Sequence, residues 1–60
     1  MPVVIIEMWE GRTIEQKKLL AAGITSAFVK IGTPSEHVKI IMNDNPRYNF
    51  ATGGKLESET

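Results

Sequence analysis

Pro2 is the residue of this chain best suited to proton chemistry, because it directly follows the initiator methionine. A small second residue permits removal of Met1, and the proline then carries a free secondary amine. An α-amino group has an ordinary pKa of about 7.7–8, and burial or a neighbouring cation lowers that pKa. A general base works best with a pKa near the working pH. The start of the chain therefore predicts a Pro2 amine that accepts and returns protons.

Side chains suited to binding an organic anion lie farther along the chain. Arg12 follows the first predicted strand, where its guanidinium would hold a carboxylate through two hydrogen bonds. Lys39 lies in the second predicted strand, and Arg47, Tyr48 and Phe50 follow the turn after it. The chain has no phosphate-binding loop, dinucleotide fingerprint or paired thiols. Chemistry by ordinary side chains, without a cofactor, is the expectation.

The length of the chain predicts one domain, residues 1–60, with a marginal core of its own. A domain of this size buries only about 60% of the surface that its unfolded chain exposes. The sequence has no cysteine and one histidine, His37, so disulfides are excluded and we expect no metal site. Association of several copies remains as the source of additional buried apolar surface.

The charges predict neither a nucleic-acid partner nor a membrane partner. Seven basic and seven acidic residues cancel and are interspersed, so no basic stripe is available to neutralise phosphates. The first apolar run is interrupted by Glu7 and Glu10 and is too short for a signal segment or a membrane span. We expect a cytoplasmic protein.

Three segments have clear secondary-structure signals. The β-branched run at residues 3–9 predicts a strand, residues 38–43 predict a second one, and a helix is expected at about 13–31. A capping box of Thr13 and Gln16 begins this helix, and Gly32 ends it. Its core side chains are expected at helical spacing, namely Leu20, Ile24, Ala27, Phe28 and Ile31.

Two strands joined by a helix form a β-α-β unit, in which the strands are parallel and the crossover is right-handed. Residues 43–46 predict a turn, residues 48–51 a short extended segment, and Gly53-Gly54 a tight reversal. The predicted fold class is therefore α/β (α+β), a single β-α-β unit with parallel strands and a short C-terminal hairpin. Two strands and one helix need partner strands for stability, which again predicts an oligomer.

Together these residues resemble the 4-oxalocrotonate tautomerase family. The resemblance rests on Pro2, the run Glu10-Gly11-Arg12-Thr13, the run Glu15-Gln16-Lys17, Phe50 and Gly53-Gly54. The resemblance covers nearly the whole chain. The run at residues 10–17 is fairly specific when it lies about ten residues after an initial Met-Pro.

The resemblance implies a cofactor-independent tautomerase that acts on a small dienol or 2-oxo acid. By that resemblance Pro2 is the base, Arg12 binds the distal carboxylate of the substrate, and Phe50 helps to keep the proline pocket apolar. An apolar pocket disfavours the ammonium form and lowers the pKa of the amine. The resemblance also implies a homo-oligomer, a hexamer built as a trimer of dimers.

The second strand departs from the pattern of the family, whose well-studied members have an arginine where this chain has Lys39. By the resemblance, that arginine reaches into a neighbouring subunit's site and holds the 2-oxo acid end. Lysine keeps the charge but lacks the planar fork. Arg47 is a possible substitute.

Two other functions remain open at this stage. One is hydration or dehalogenation of a short unsaturated acid, with Glu7 or Glu10 activating water. The other is a non-catalytic oligomerising module, which would tolerate a blocked amino terminus.

Overall fold

Two parallel strands, β1 (Val3–Trp9) and β2 (Lys39–Asn45), are joined by helix α1 (Ile14–Lys30) in the computed structural model, which describes residues 1–59. A two-stranded antiparallel hairpin follows, formed by β3 (Ala51–Thr52) and β4 (Lys55–Leu56). Single turns of 3₁₀ helix lie at Ser35–His37, Arg47–Asn49 and Glu57–Glu59. The predicted β-α-β unit with parallel strands and a C-terminal hairpin is confirmed.

Strand β1 has the predicted bounds, whereas β2 is shifted and longer than predicted. Pairing with β1 continues from Glu7 opposite Asn43 to Trp9 opposite Asn45. The side-chain amides of Asn43 and Asn45 also donate to the two carboxylate oxygens of Glu7, at 3.1 Å from Asn43 and 2.8 Å from Asn45. The turn predicted at residues 43–46 is therefore wrong for its first three residues, because cross-strand partners outweigh their local preference for turns.

Both ends of α1 confirm the predicted stop and start signals. The Thr13 hydroxyl accepts from the Gln16 amide at 3.1 Å, and the Gln16 side chain accepts from the Thr13 amide at 2.9 Å. At the other end Gly32 has φ of 101°, and the amides of Gly32 and Thr33 donate back to the Val29 and Phe28 carbonyls. This is a Schellman motif, in which glycine takes the left-handed position without strain.

Helix α1 covers one face of the sheet. An ion pair joins Lys17 of the helix to Asp44 of β2, so α1 lies over the face that contains Asp44. Met8, opposite Asp44 in the ladder, is buried, at 8% exposure. The predicted helix core is wrong for Ala27 and Ile31, which are exposed. The half-buried stripe consists of Lys17, Leu20, Ala21, Ile24, Thr25 and Phe28.

The opposite face of the sheet, here called the bare face, is uncovered. Its apolar side chains Val3, Ile5 and Ile41 are 56%, 62% and 48% exposed. The radius of gyration is 14.7 Å, whereas a compact domain of 60 residues has about 10 Å. The accessible surface is 4612 Å², against about 3,900 Å² for a folded monomer of this mass. A single copy therefore leaves apolar side chains of one sheet face uncovered.

The segment after β2 turns before it extends. The amides of Asn49 and Phe50 donate to the carbonyls of Pro46 and Arg47, so the extended segment predicted at 48–51 is wrong for Tyr48 and Asn49. The predicted reversal is confirmed, since Gly53 and Gly54 have φ of 61° and 83°, as a two-residue hairpin turn requires. Among residues 1–59, no helix is long and apolar enough to cross a membrane.

Candidate active site

The predicted site residues lie in two groups at opposite ends of the parallel strands. Pro2 and Lys39 lie where β1 and β2 begin, at what we call the proline end. Arg12, Arg47 and Phe50 lie where these strands have ended, at what we call the arginine end. The sequence predicts the members of both groups but not their separation.

The proline end is held by the sheet. The Pro2 carbonyl accepts a hydrogen bond from the Lys39 amide at 3.0 Å, so the main chain is fixed directly after the proline ring. Pro2 is half-buried, and the Lys39 side chain is exposed on the bare face, level with Val3. Met1 precedes Pro2 in this structure, so the Pro2 nitrogen is part of a peptide bond. Removal of Met1 would convert this nitrogen into an amine without disturbing the hydrogen bond to Lys39.

Trp9 is the centre of the arginine end. The Arg47 guanidinium carbon lies 3.8 Å from the centroid of the indole ring, which is a cation–π contact. Arg12 Nη1 donates to the Trp9 carbonyl at 3.4 Å. The Phe50 ring meets the indole edge to face, with centroids 5.8 Å apart and an interplanar angle of 86°. Both predicted arginines and the predicted aromatic residue therefore contact one tryptophan.

Trp9 is not among the site residues predicted from the sequence, yet it organises the arginine end. Its position as the last residue of a predicted strand, just before the loop of Arg12, is the available signal. The indole Nε1 is buried and has no hydrogen-bond partner among residues 1–59. The ring is therefore held by its aromatic and cationic neighbours rather than by its N–H group.

The distance between the two ends exceeds the reach of one small substrate. Trp9 lies seven positions after Pro2 along an extended strand, which corresponds to about 23 Å at about 3.3 Å per position. The described residues also form no pocket within a single copy. One copy alone therefore does not bring Pro2 together with Arg12, Arg47 or Phe50.

The remaining candidates lie outside both groups. Glu7, considered above as a water-activating carboxylate, has both oxygens engaged by asparagine amides in the middle of the bare face. Tyr48 is 65% exposed, and His37 lies exposed in a 3₁₀ turn. No group of three histidine or acidic side chains arranged to hold a metal ion occurs within residues 1–59.

Known proteins resemble the chain along almost its entire length. A protein-family model described as "Tautomerase enzyme" matches residues 2–59. A probable tautomerase from Streptococcus pneumoniae serotype 4 is 42% identical over 60 residues, which cover 98% of this chain and 100% of the relative.

Solved structures extend this similarity to the fold. The crystal structure of YwhB, a homologue of 4-oxalocrotonate tautomerase, has a TM-score of 0.90 at 32% identity and covers 98% of each chain. A heterohexameric 4-oxalocrotonate tautomerase from Chloroflexus aurantiacus has a TM-score of 0.86 at 32% identity, over 98% of this chain and 97% of that one. Sequence and fold thus agree from Pro2 to the C-terminal hairpin, and the chain belongs to the tautomerase family of enzymes.

Proposed function

We propose that this chain is a cofactor-independent tautomerase of 2-hydroxydienoates or 2-oxo acids that uses the Pro2 amine as general base and acid. The family match over residues 2–59 carries this proposal, because it begins at the proline on which the chemistry depends. The substrate class is that of 2-hydroxymuconate, a dicarboxylate enol.

The proposed reaction moves one proton and a conjugated electron system. The neutral Pro2 amine accepts the proton of the enol hydroxyl, and the oxygen electron pair forms the carbonyl while the double bonds shift. The resulting ammonium then gives its proton to carbon. No atom is added and nothing is oxidised or reduced, so the reaction requires neither a metal nor a redox cofactor.

The surroundings of Pro2 fit a base of this kind. Its carbonyl is held by the Lys39 amide, and its ring is rigid, so the nitrogen has a defined position. Partial burial of Pro2 disfavours the ammonium form of its amine. A neutral amine near pH 7 is the form that starts the reaction. The Lys39 side chain would also attract the carboxylate next to the reacting oxygen.

A complete site on this proposal requires two copies of the chain. Pro2 lies about 23 Å along the strand from the arginine end of its own copy, so the carboxylate-binding arginines have to come from a neighbour. Copies packed in opposite strand directions would bring the proline end of one beside the arginine end of the other, and a two-fold axis would create two equal sites. A homohexamer, as a trimer of such dimers, is the proposed assembly. The heterohexameric structural neighbour supports it.

Blocking the Pro2 nitrogen tests the proposal directly. Chains that retain Met1, or whose amino terminus is reductively alkylated, should lose about 10²–10⁴-fold in turnover of 2-hydroxymuconate or phenylenolpyruvate, since that is what a general base typically supplies. Mass spectrometry establishes the state of the terminus, and native mass spectrometry shows that assembly is retained. The rate of the free chain should rise with pH through a single ionisation. Full activity with a demonstrably blocked terminus would refute the role of Pro2 and favour a non-catalytic oligomerising module.

A further inference from the structure

Arg47 has no role in the proton transfer proposed above, and within one copy it lies beyond the opposite end of β2 from Lys39. It directly follows Pro46, the first residue after β2, whereas Lys39 begins the same strand. Six residues separate Lys39 from Asn45, which corresponds to about 20 Å of extended strand. Arg47 therefore does not replace Lys39 at the proline end of its own copy. Its neighbours belong to the arginine end.

Arg47 and Arg12 are held against the same residue from different directions. Arg47 lies over the Trp9 ring at 3.8 Å, and Arg12 Nη1 contacts the Trp9 carbonyl at 3.4 Å. Trp9 is fixed in turn, because it pairs with Asn45 at the end of the sheet and packs against Phe50. Two permanent positive charges are thus brought to one half-buried tryptophan.

The stacking geometry leaves Arg47 able to bind a second group. A guanidinium that lies over an indole uses its flat face for the contact, whereas its N–H donors point outward in the plane of the group. That plane is the one in which a guanidinium takes a carboxylate through two parallel hydrogen bonds. Stacking also restricts the side chain, so less conformational freedom is lost when an anion binds. Arg47 is therefore oriented in advance to donate hydrogen bonds to a carboxylate.

Among the described residues, neither Arg12 nor Arg47 forms an ion pair with a carboxylate. Within residues 1–59 the ion pairs join Lys17 to Asp44 and Lys18 to Glu15. Glu57 lies on the neighbouring segment, where its amide donates to the Phe50 carbonyl and its carboxylate accepts from the Thr52 hydroxyl. Both arginines contact Trp9, and an anion bound at this end would be attracted by both positive charges.

We propose that Arg47 is a second carboxylate-binding residue, which acts with Arg12 at the arginine end and makes the site selective for dianionic over monoanionic substrates. This inference rests on the proposed function, because it names the substrate class of the same site. It moves Arg47 from the 2-oxo acid end to the distal carboxylate end of the substrate. Its effect is on binding of the distal carboxylate and not on the proton transfer.

The single tryptophan of the chain makes this inference measurable without turnover. Adipate and hexanoate have the same number of carbons but two and one carboxylates, and each can be titrated against Trp9 fluorescence at fixed ionic strength. Replacing Arg47 by glutamine should weaken adipate binding about 10- to 100-fold, the range expected for a lost hydrogen bond to a charged group, and leave hexanoate binding unchanged. Arg47→Lys should restore part of the loss, because it keeps the charge without the fork.

A matched control separates this local effect from a change in total charge. Lys30→Gln removes one positive charge from the last turn of α1, and it should leave both titrations unchanged. Native mass spectrometry and circular dichroism show whether each variant keeps its assembly and fold. The same variants, assayed with 2-hydroxymuconate and phenylenolpyruvate, should show a higher KM for the dicarboxylate only.

The outcomes for Arg47 and for the proposed reaction are distinguishable. Adipate binding that depends on Arg47 in a chain that turns over no enol acid would support the carboxylate site and refute the tautomerase function. Turnover in which Arg47→Gln keeps the full preference for the dicarboxylate would refute the role of Arg47 alone. Equal weakening of adipate and hexanoate would also overturn it, because it would assign Arg47 only the support of Trp9. If the unaltered chain does not bind adipate at all, the proposed role of Arg47 is also refuted.

Discussion

Replacing Ile5 by glutamate should prevent copies of this chain from associating. Ile5 lies in the middle of the bare face, paired in the ladder with Ile41, and its side chain is 62% exposed in the single copy. Val3 precedes it on the same face. If this face is where copies meet, a charge at its centre is the most damaging single change that the chain offers.

The magnitude follows from the exposed fractions of these side chains. Complete burial of a side chain such as valine or isoleucine contributes about 1.5–3 kcal/mol. The 62% of Ile5 that a partner would cover is then worth about 0.9–1.9 kcal/mol per copy. Val3, Ile5 and Ile41 together contribute about 2.5–5 kcal/mol per copy. Ile5→Glu loses its own share and also buries a carboxylate, at an effective cost of several kcal/mol.

The expected net loss is therefore at least about 3 kcal/mol per copy, which corresponds to more than a hundredfold in the association constant. Sedimentation velocity and native mass spectrometry over a hundredfold dilution would measure it, with circular dichroism to follow unfolding. Ile5→Ala should give an intermediate loss of about 1 kcal/mol per copy. Because the isolated copy has one buried apolar side chain among its described residues, Met8, dissociated chains should also unfold.

Leu19→Glu is the matched control. Leu19 lies on the outer side of α1 and is 75% exposed. Leu19→Glu therefore introduces the same charge on the helix layer, away from the bare face. We expect it to leave the assembly unchanged. The reasoning would be refuted if Ile5→Glu assembled like the unaltered chain, or if Leu19→Glu dissociated it equally. A folded monomer at micromolar concentration would refute the obligate oligomer itself.

Three further predictions concern single side chains. Arg12→Ala should lower kcat/KM about 10- to 100-fold for 2-hydroxymuconate and little for phenylenolpyruvate, because only the former has a distal carboxylate; equal losses would assign Arg12 a structural role. Lys39→Arg should lower KM for 2-oxo acids, since it supplies the planar fork, and an unchanged KM would leave Lys39 a rim charge. Thr13→Ala should reduce the free energy of unfolding by about 1 kcal/mol at fixed chain concentration, whereas Thr13→Ser keeps the capping hydroxyl and should be nearly neutral; equal losses would contradict the capping role.

The parts of the fold that short-range interactions decide can be predicted from the sequence. The capping box at Thr13 and Gln16 and the glycine stop at Gly32 each depend on groups within six residues, and both are confirmed. The β-branched run of β1 has the bounds that its composition predicts. The β-α-β connection then follows from element order, because handedness and short loops leave few alternatives.

Predictions were wrong where a partner distant in sequence overrides local preference. Asp44 and Asn45 were predicted in a turn, yet they extend β2 beyond Asn43, and the side-chain amides of Asn43 and Asn45 donate to Glu7 across the sheet. Ile31 fits the apolar spacing of the helix but lies beyond its end, at 76% exposure. For β2 the deciding contact depends on the three-dimensional path of the chain, whereas for Ile31 the local stop at Gly32 ends the helix first.

For the candidate site, the amino-acid sequence is enough to predict which side chains could do chemistry and what each could do. Their distribution depends on the folded chain, which places Pro2 and Lys39 at one end of the strands and Arg12, Arg47 and Phe50 around Trp9 at the other. The stacking of Arg47 on Trp9 joins the 3₁₀ turn after β2 to the last residue of β1, and local sequence carries no signal for such a contact. The physical reason is the rigid strand, which converts seven residues of sequence into about 23 Å of separation and leaves a complete site to be formed between copies.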